Sequence, residues 1–180
     1  NMGCIYSKKE AQFILETLQN EIRWQEEELQ MFGKKIKMRR KVAWYSDRNF
    51  TYRYSGVDKT GHLWTPLLKQ LKDQVENLSG AQFNSCLLNY YLDGQDGMGW
   101  HSDNEKSLVK NACIASLSFG AERIFKLKHK QTKEVVNIPL ESGQLILMEK
   151  QTQEFWKHAI PKSKKIHKPR INLTFRKYLI

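Results

Sequence analysis

A chain of 180 residues with 40% hydrophobic and 27% charged residues has the length and composition of one globular domain with its own core. Thirty Lys and Arg against nineteen Asp and Glu leave a net charge of +11 and a pI near 9.6, which points to a polyanionic partner, nucleic acid first. The three cysteines, Cys4, Cys86 and Cys113, suggest neither a disulfide framework nor a zinc knuckle, and no apolar run reaches the ~18 residues of a membrane span.

A reducing interior is therefore expected, cytoplasmic in a bacterium and nuclear in a eukaryote, with no membrane partner and a monomeric chain. Asn1 ahead of Met2 reads as a remnant, which places the expected native start at Met2. Ser7-Lys8-Lys9-Glu10 has capping-box spacing, and Ala11, Ile14, Leu15, Leu18 and Ile22 recur at helical intervals, so the pattern predicts a helix over 8–22. The pattern loosens over 24–32 and breaks at Gly33. Lys34, Lys35, Lys37, Arg39, Arg40 and Lys41 follow, a run that is ordinarily a solvated face or loop. Met31-Phe32-Gly33 sets a bulky apolar pair at a turn beside these cations, a combination that suits a wedge pushed into a base stack.

Residues 50–54 read as a strand with Phe50, Tyr52 and Tyr54 on one face, an arrangement commoner in cores than in sites. Thr65 caps a second helix with Pro66 at its first position, and Leu67, Leu68, Leu71, Val75 and Leu78 form its stripe before Ser79-Gly80. Beyond Gly80 the texture changes to short strands: 83–92, the His101 stretch, 112–119, a hairpin of 123–129 and 134–140, then 144–148, 155–160 and 170–179. Helices followed by alternating strands predict an α+β domain whose core is a jelly-roll barrel, with the N-terminal helices packed against the sheet. Within this single domain, residues 1–80 are expected to form a helical, nucleotide-recognising extension and 81–180 the barrel.

Gly99-Trp100-His101-Ser102-Asp103 carries the first chemical signal. On an extended backbone His101 and Asp103 point to one side and offer two ligands to one metal ion. Two imidazoles and one carboxylate on one face of an octahedron are a ligand set of non-haem iron(II). His158 is the candidate third ligand by position, twelve residues before Arg170, whereas His62 and His129 lie in polar stretches expected to be exposed and His167 in a lysine-rich loop suited to phosphate. In the last strand Arg170, Asn172, Thr174 and Arg176 share one face and Ile171, Leu173 and Phe175 the other. Two guanidiniums facing inward need anionic partners, and a small dicarboxylate would satisfy them by bidentate hydrogen bonds; an edge strand with both arginines in water is the alternative.

Taken together, Asn89-Tyr90-Tyr91, Gly99-Trp100-His101-Ser102-Asp103, His158 and the R-x-N-x-T-x-R strand resemble the AlkB family of iron(II)- and 2-oxoglutarate-dependent dioxygenases, over most of the chain. The likeness extends to the branch acting on duplex DNA, since Met31, Phe32 and Gly33 stand where that branch carries a base-stack-filling finger. The resemblance implies a double-stranded β-helix fold. It also implies oxidative demethylation of 1-methyladenine and 3-methylcytosine, with Fe(II), 2-oxoglutarate and O2 as cofactor, co-substrate and oxidant. It assigns His101, Asp103 and His158 to the metal, and Asn89, Tyr91, Arg170, Asn172, Thr174 and Arg176 to 2-oxoglutarate, Arg176 nearest the metal. Tyr52 and Tyr54 would hold the flipped base, Asn104 or Glu105 would meet its polar edge, and Arg123 matches a position near the substrate. Met38 departs from the proline expected in relatives. A related oxygenase acting on RNA or protein, or a basic nucleic-acid-binding protein without catalysis, are the competing readings.

Overall fold

The computed structural model of the chain describes residues 1–180 except 32, 33, 49, 50, 55, 56, 106 and 180, and for 27–31, 34–36, 51–54 and 57–60 it describes the backbone alone. In chain order come β1 (Gly3–Cys4), α1 (Lys8–Glu21), β2 (Gln25–Met31), β3 (Lys34–Ser46), β4 (Thr51–Tyr54), β5 (Val57–Thr60), β6 (His62–Leu63) and α2 (Pro66–Ser79). They are followed by β7 (Ser85–Tyr91), β8 (Met98–His101), β9 (Ile114–Gly120), β10 (Arg123–His129), β11 (Val135–Leu140), β12 (Gln144–Met148), α3 (Lys150–Phe155), β13 (Trp156–Ile160) and β14 (Arg170–Arg176).

Local chemistry sets both long helices. Ser7 and Glu10 complete the reciprocal capping box of α1, and the Thr65 hydroxyl accepts the Leu68 N–H at the start of α2, each cap stabilising by about 1 kcal/mol. Gly80 ends α2 in the left-handed region at φ 67°. Ala11, Ile14, Leu15 and Leu18 of α1 and Leu68, Leu71 and Val75 of α2 are buried, while Leu78 stays largely exposed, so the second stripe is narrower than expected.

The strands form a large sheet in the order β1-β12-β9-β14-β7-β3-β2, with β6 pairing β3, and a smaller sheet in the order β11-β10-β13-β8. β14 runs antiparallel between β7 and β9, so it is hydrogen-bonded along both edges. Its side chains alternate between two environments. Ile171, Leu173 and Phe175 join Leu88, Cys86, Leu117 and Phe119 in the core under the helices. The opposite face looks toward the small sheet, where Ile114, Ile146 and Met148 of the large sheet pack with Phe125, Leu140 and Ile160 of the small one. Each fully buried Leu, Ile or Phe contributes roughly 1.5–3 kcal/mol, and the helix-side layer holds most of them. The layers are helices, large sheet, polar cavity and small sheet, the jelly-roll architecture the strand spacing predicts.

Three features differ from the sequence reading. The basic run from Lys34 onward lies not in a loop but in β3, paired antiparallel with β2, where Lys37 meets Glu26 at 2.5 Å. β3 in turn pairs with β7, so ladder pairing crosses residue 80. Helix α3 and the short strands β1 and β6 went unpredicted, since they lie in stretches too short to show a period. Phe32, Gly33 and the Phe50 start of the third predicted segment lie outside the described residues, as do the side chains of Met31, Tyr52 and Tyr54.

Gly120 joins β9 to the turn before β10 at φ 93°, where an added Cβ would overlap the Pro169 carbonyl and press on Leu15. Gly120→Ala is therefore expected to destabilise by about 2–4 kcal/mol, combining left-handed strain with overpacking. Gly80→Ala, equally left-handed but with open space around the new methyl, carries the strain alone. Thermal melts of both variants check the difference; equal losses would remove the Pro169 contact as the cause.

Candidate metal centre and anion pocket

His101 ends β8 and His158 lies in β13, and the two residues face each other directly in the antiparallel ladder. Their rings meet edge to face with centroids 4.2 Å apart. The His101 Nδ1 lies 2.8 Å from the Gly99 carbonyl oxygen, which can only accept, so Nδ1 donates and Nε2 is the ring nitrogen left for a ligand. Asp103 follows just beyond the strand, with its Oδ1 3.9 Å from the His101 Nε2. Ligand atoms of His101, Asp103 and His158 all lie within 4.8 Å of one another.

The electrostatics fix the protonation states that a metal needs. His158 is buried and stacked on Phe125, with ring centroids 5.3 Å apart. Burial, reinforced by His101, holds its pKa down to about 4, so the imidazole is neutral near pH 7. Burial opposes ionisation of Asp103, yet Arg176, then His158 and His101, keep its carboxyl below the usual carboxylate range. The Arg176 Nη2 donates to the Asp103 Oδ1 at 2.9 Å, and Asp103 in return raises the Arg176 pKa against the effect of burial. Asp103 Oδ2 and His158 Nδ1 are buried without a hydrogen-bond partner. The neutral His158 imidazole, the ionised Asp103 carboxylate and the buried polar atoms left without partners fit a divalent cation.

The other end of the cavity is built for an anion. Arg170 is 1% exposed; its Nη2 donates to the Ser118 hydroxyl at 3.0 Å, while Nε and Nη1 have no partner. Burial lowers its pKa to about 10, which leaves a buried cation at neutral pH. The Tyr91 ring lies 5.3 Å beneath this guanidinium, and the Asn89 Oδ1 is also unpartnered. Asn172 donates to Ser116 at 2.8 Å and to the Leu117 carbonyl, and Thr174 donates to Asn172, so these two form a satisfied wall between the ends. A dicarboxylate such as 2-oxoglutarate would fit the free donors of Arg170.

One cavity thus gathers His101, Asp103, His158, Asn89, Tyr91 and the polar face of β14. Asn104, exposed, and Glu105, half-buried with an unpartnered Oε2, border the adjoining cleft that opens beside Asp103. Arg123 sits elsewhere, at the Arg170 end of the barrel. Its guanidinium donates to the carbonyls of Asp93, Asp96 and Pro161, at 3.3, 2.7 and 2.7 Å, and lies 5.7 Å over Tyr91. Arg39 pairs with Asp93 and Arg40 is buried, so part of the basic run acts within the fold. His129, expected to be exposed, is half-buried; its Nδ1 accepts from the Gln131 and Thr132 N–H groups, and its ring stacks on Phe155. Met31 and Tyr52 and Tyr54 stand on β2 and β4, and Phe32 and Gly33 are not among the described residues.

Ser116, Ser118, Phe125 and Gln153 were not singled out from sequence. The serines carried a signal, since Ala115-Ser116-Leu117-Ser118 alternates polar with apolar inside a buried strand.

The sequence profile of the 2OG-Fe(II) oxygenase superfamily matches residues 3–176. Human DNA oxidative demethylase ALKBH2 is 38% identical, over 98% of this chain and 72% of that protein. Human alpha-ketoglutarate-dependent dioxygenase alkB homolog 3 is 38% identical over 96% of this chain and 65% of its own length. DNA oxidative demethylase ALKBH2 of Arabidopsis thaliana is 33% identical over 88% of this chain and 59% of its own length. The solved structure of OsALKBH1 shares the fold, with a TM-score of 0.64 and 16% identity over 97% of this chain and 93% of that one.

The depressed His158 pKa has a sign that can be checked in metal-free protein. The unfolded chain protonates at the ordinary value of 6.5 and the folded chain at about 4. Stability is thus complete above about pH 6.5 and falls as pH drops toward 4, by up to about 1.4 kcal/mol per pH unit from this group. His158→Phe is expected to flatten that slope in urea melts with chelator; equal slopes in both proteins would contradict a neutral, buried His158.

Proposed function

The chain belongs to the 2OG-Fe(II) oxygenase superfamily and to its AlkB branch, and on that premise we propose that it demethylates alkylated bases in DNA oxidatively, with the duplex as preferred substrate. The observation that carries the reading is the pairing, inside one barrel, of the His101–Asp103–His158 ligand set with the buried guanidinium of Arg170, whose Nε and Nη1 have no partner. With iron(II), 2-oxoglutarate and O2 bound, the site supplies hydroxylation of an N-methyl carbon, after which the hydroxymethyl group leaves as formaldehyde and the base is restored.

The residues of this chain do the positioning. His101, Asp103 and His158 would offer the metal three donor atoms that lie within 4.8 Å of one another, and Asp103 also lines the adjoining cleft. Arg176 holds Asp103 ionised and fixes Oδ1, so Oδ2 is the oxygen left for the metal. Arg170, oriented by Ser118 and backed by Tyr91, takes the distal carboxylate of the co-substrate. Phe125 and Met148 line the cavity beside His158 and exclude water. Glu105 at the cleft suits bases that carry a positive charge, as 1-methyladenine and 3-methylcytosine do, and aromatic rings at Tyr52 and Tyr54 suit them equally.

Nucleic acid as partner is supported by the net charge and by its distribution. Trp100, 43% exposed, borders a basic cleft with Lys128, Lys133 and Lys157. Lys164, Lys165, His167 and Lys168 are exposed on the loop before β14, which is tied back by hydrogen bonds from Gly94 to Ile166 and from Ser163 to Gly94. An intracellular, monomeric enzyme is the accompanying proposal, in keeping with free Cys4, Cys86 and Cys113.

The direct test is formaldehyde release from methylated duplex DNA, single-stranded DNA and RNA in parallel, with Asp103→Ala as control. Release on DNA, lost in the variant while DNA affinity persists, is expected, because phosphates supply most of the binding. Release on RNA alone would favour the RNA-directed alternative. Arg170→Lys keeps the charge but not the planar fork, so the 2-oxoglutarate dissociation constant should rise about ten- to a hundred-fold in anaerobic titrations. An unchanged constant would move Arg170 out of the co-substrate site. Phe32→Ala separates duplex from single-strand action: stacking that refills a vacated base step is worth ~1–3 kcal/mol, a loss of roughly five- to a hundred-and-fifty-fold on duplex. Single strands have no step to refill and should be spared, so equal losses on both would overturn the duplex preference.

A further inference from the structure

We infer that Gln153 is a positioning residue of the metal centre, holding the backbone of Asp103 where no strand does. The inference rests on the metal-centre reading above and adds a residue to it. His101 and His158 owe their places to the ladder between β8 and β13. That ladder ends at His101, and Asp103 lies beyond it in irregular backbone.

Two hydrogen bonds take over from the ladder. The Ser102 hydroxyl donates to the Trp156 carbonyl, and the Asp103 N–H donates to the Gln153 Oε1, each at 2.8 Å. The Gln153 amide is oriented by its other end, where Nε2 lies 3.6 Å from the Met148 sulfur, a weak acceptor. Helix α3, which carries Gln153, is anchored in turn from β10's end: the Lys130 Nζ donates to the carbonyls of Gln153 and Glu154 at 2.8 Å, a cation on the last turn of the helix. Residues 153–158 therefore place two ligands, His158 directly and Asp103 through its amide.

The carboxylate geometry shows what this placement protects. Arg176 draws Asp103 Oδ1 to itself at 2.9 Å, and Oδ2 is free for the metal only while the main chain of Asp103 stays fixed. Without the Gln153 acceptor, the N–H of Asp103 must find another partner, and the segment shifts toward one. Groups of this kind, which orient a ligand without touching the metal, typically change metal affinity 10–100-fold.

The test is anaerobic Co(II) titration of the metal-free full chain, read by visible absorption, for the wild type, Gln153→Leu, Gln153→Glu and Asp103→Ala, with thermal melts of each metal-free protein. Gln153→Leu removes the acceptor at similar size and should weaken Co(II) binding about 10–100-fold while the folded state persists. Gln153→Glu keeps an acceptor oxygen and should bind as tightly as the wild type or more so. Should the Leu variant not fold, Gln153→Met, unbranched and of similar length, is read in its place. Wild-type affinity in the Leu or Met variant, or a loss in the Glu variant equal to theirs, overturns the inference. A lowered melting temperature with unchanged affinity also overturns it, since that is the mark of a merely structural side chain. Asp103→Ala separates this from the reading beneath it: if that variant too binds Co(II) like the wild type, the metal centre itself is misassigned.

Discussion

Strand β14 is buried along its whole length, and two of its seven residues are arginines. Burying a guanidinium without an anion costs several kcal/mol, so a central strand with this composition is stable only if its polar face meets compensating charge. Arg176 finds it in Asp103. Arg170 finds a serine hydroxyl and an aromatic face, which satisfy part of its hydrogen-bonding capacity and none of its charge. This imbalance is what the rest of the molecule surrounds. Two helices cover the apolar face of the sheet that contains β14, and the small sheet packs over the polar face, so that a charged cavity lies between hydrophobic layers.

The same constraint couples the two ends of the cavity. Asp103 gives Oδ1 to Arg176 and keeps Oδ2 without a hydrogen-bond partner beside His101 and His158. Arg176 keeps that carboxyl ionised despite its burial, and burial keeps His158 neutral. A divalent cation bound there adds positive charge to a pocket already holding Arg170 and, close behind Tyr91, Arg123. A dianionic co-substrate balances that sum, which is a physical reason for metal and dicarboxylate to occupy neighbouring positions in one barrel.

Arg123 shows how the closed end of the barrel is made rigid. Its three carbonyl partners lie on the 93–97 turn and on Pro161, two segments that also exchange backbone hydrogen bonds between Gly94 and residues 163 and 166. The basic loop after Pro161 is thereby fastened to the floor beneath Arg170. Arg39 reaches the same turn from β3 through Asp93. Cations that the composition alone would assign to phosphate contacts serve here as internal struts, and the lysines that border Trp100 and the exposed ones on the 162–168 loop remain for a polyanion.

Alternation along one strand was enough, from sequence, to place Arg170, Asn172, Thr174 and Arg176 together, because a central strand has no freedom to turn its residues from one face to the other. The capped helices and the His101–Asp103 spacing were legible for the same reason: each depends on residues within a few positions of one another. The tertiary structure alone decided the features made by distant segments. A run of lysines and arginines became β3 because β2 and β7 pair with it on either side, a gain that local propensity does not register. Arg123 became a strut because three carbonyls converge on it from two loops. Gln153 reached Asp103 across fifty residues of sequence, from a six-residue helix too short to show its own period.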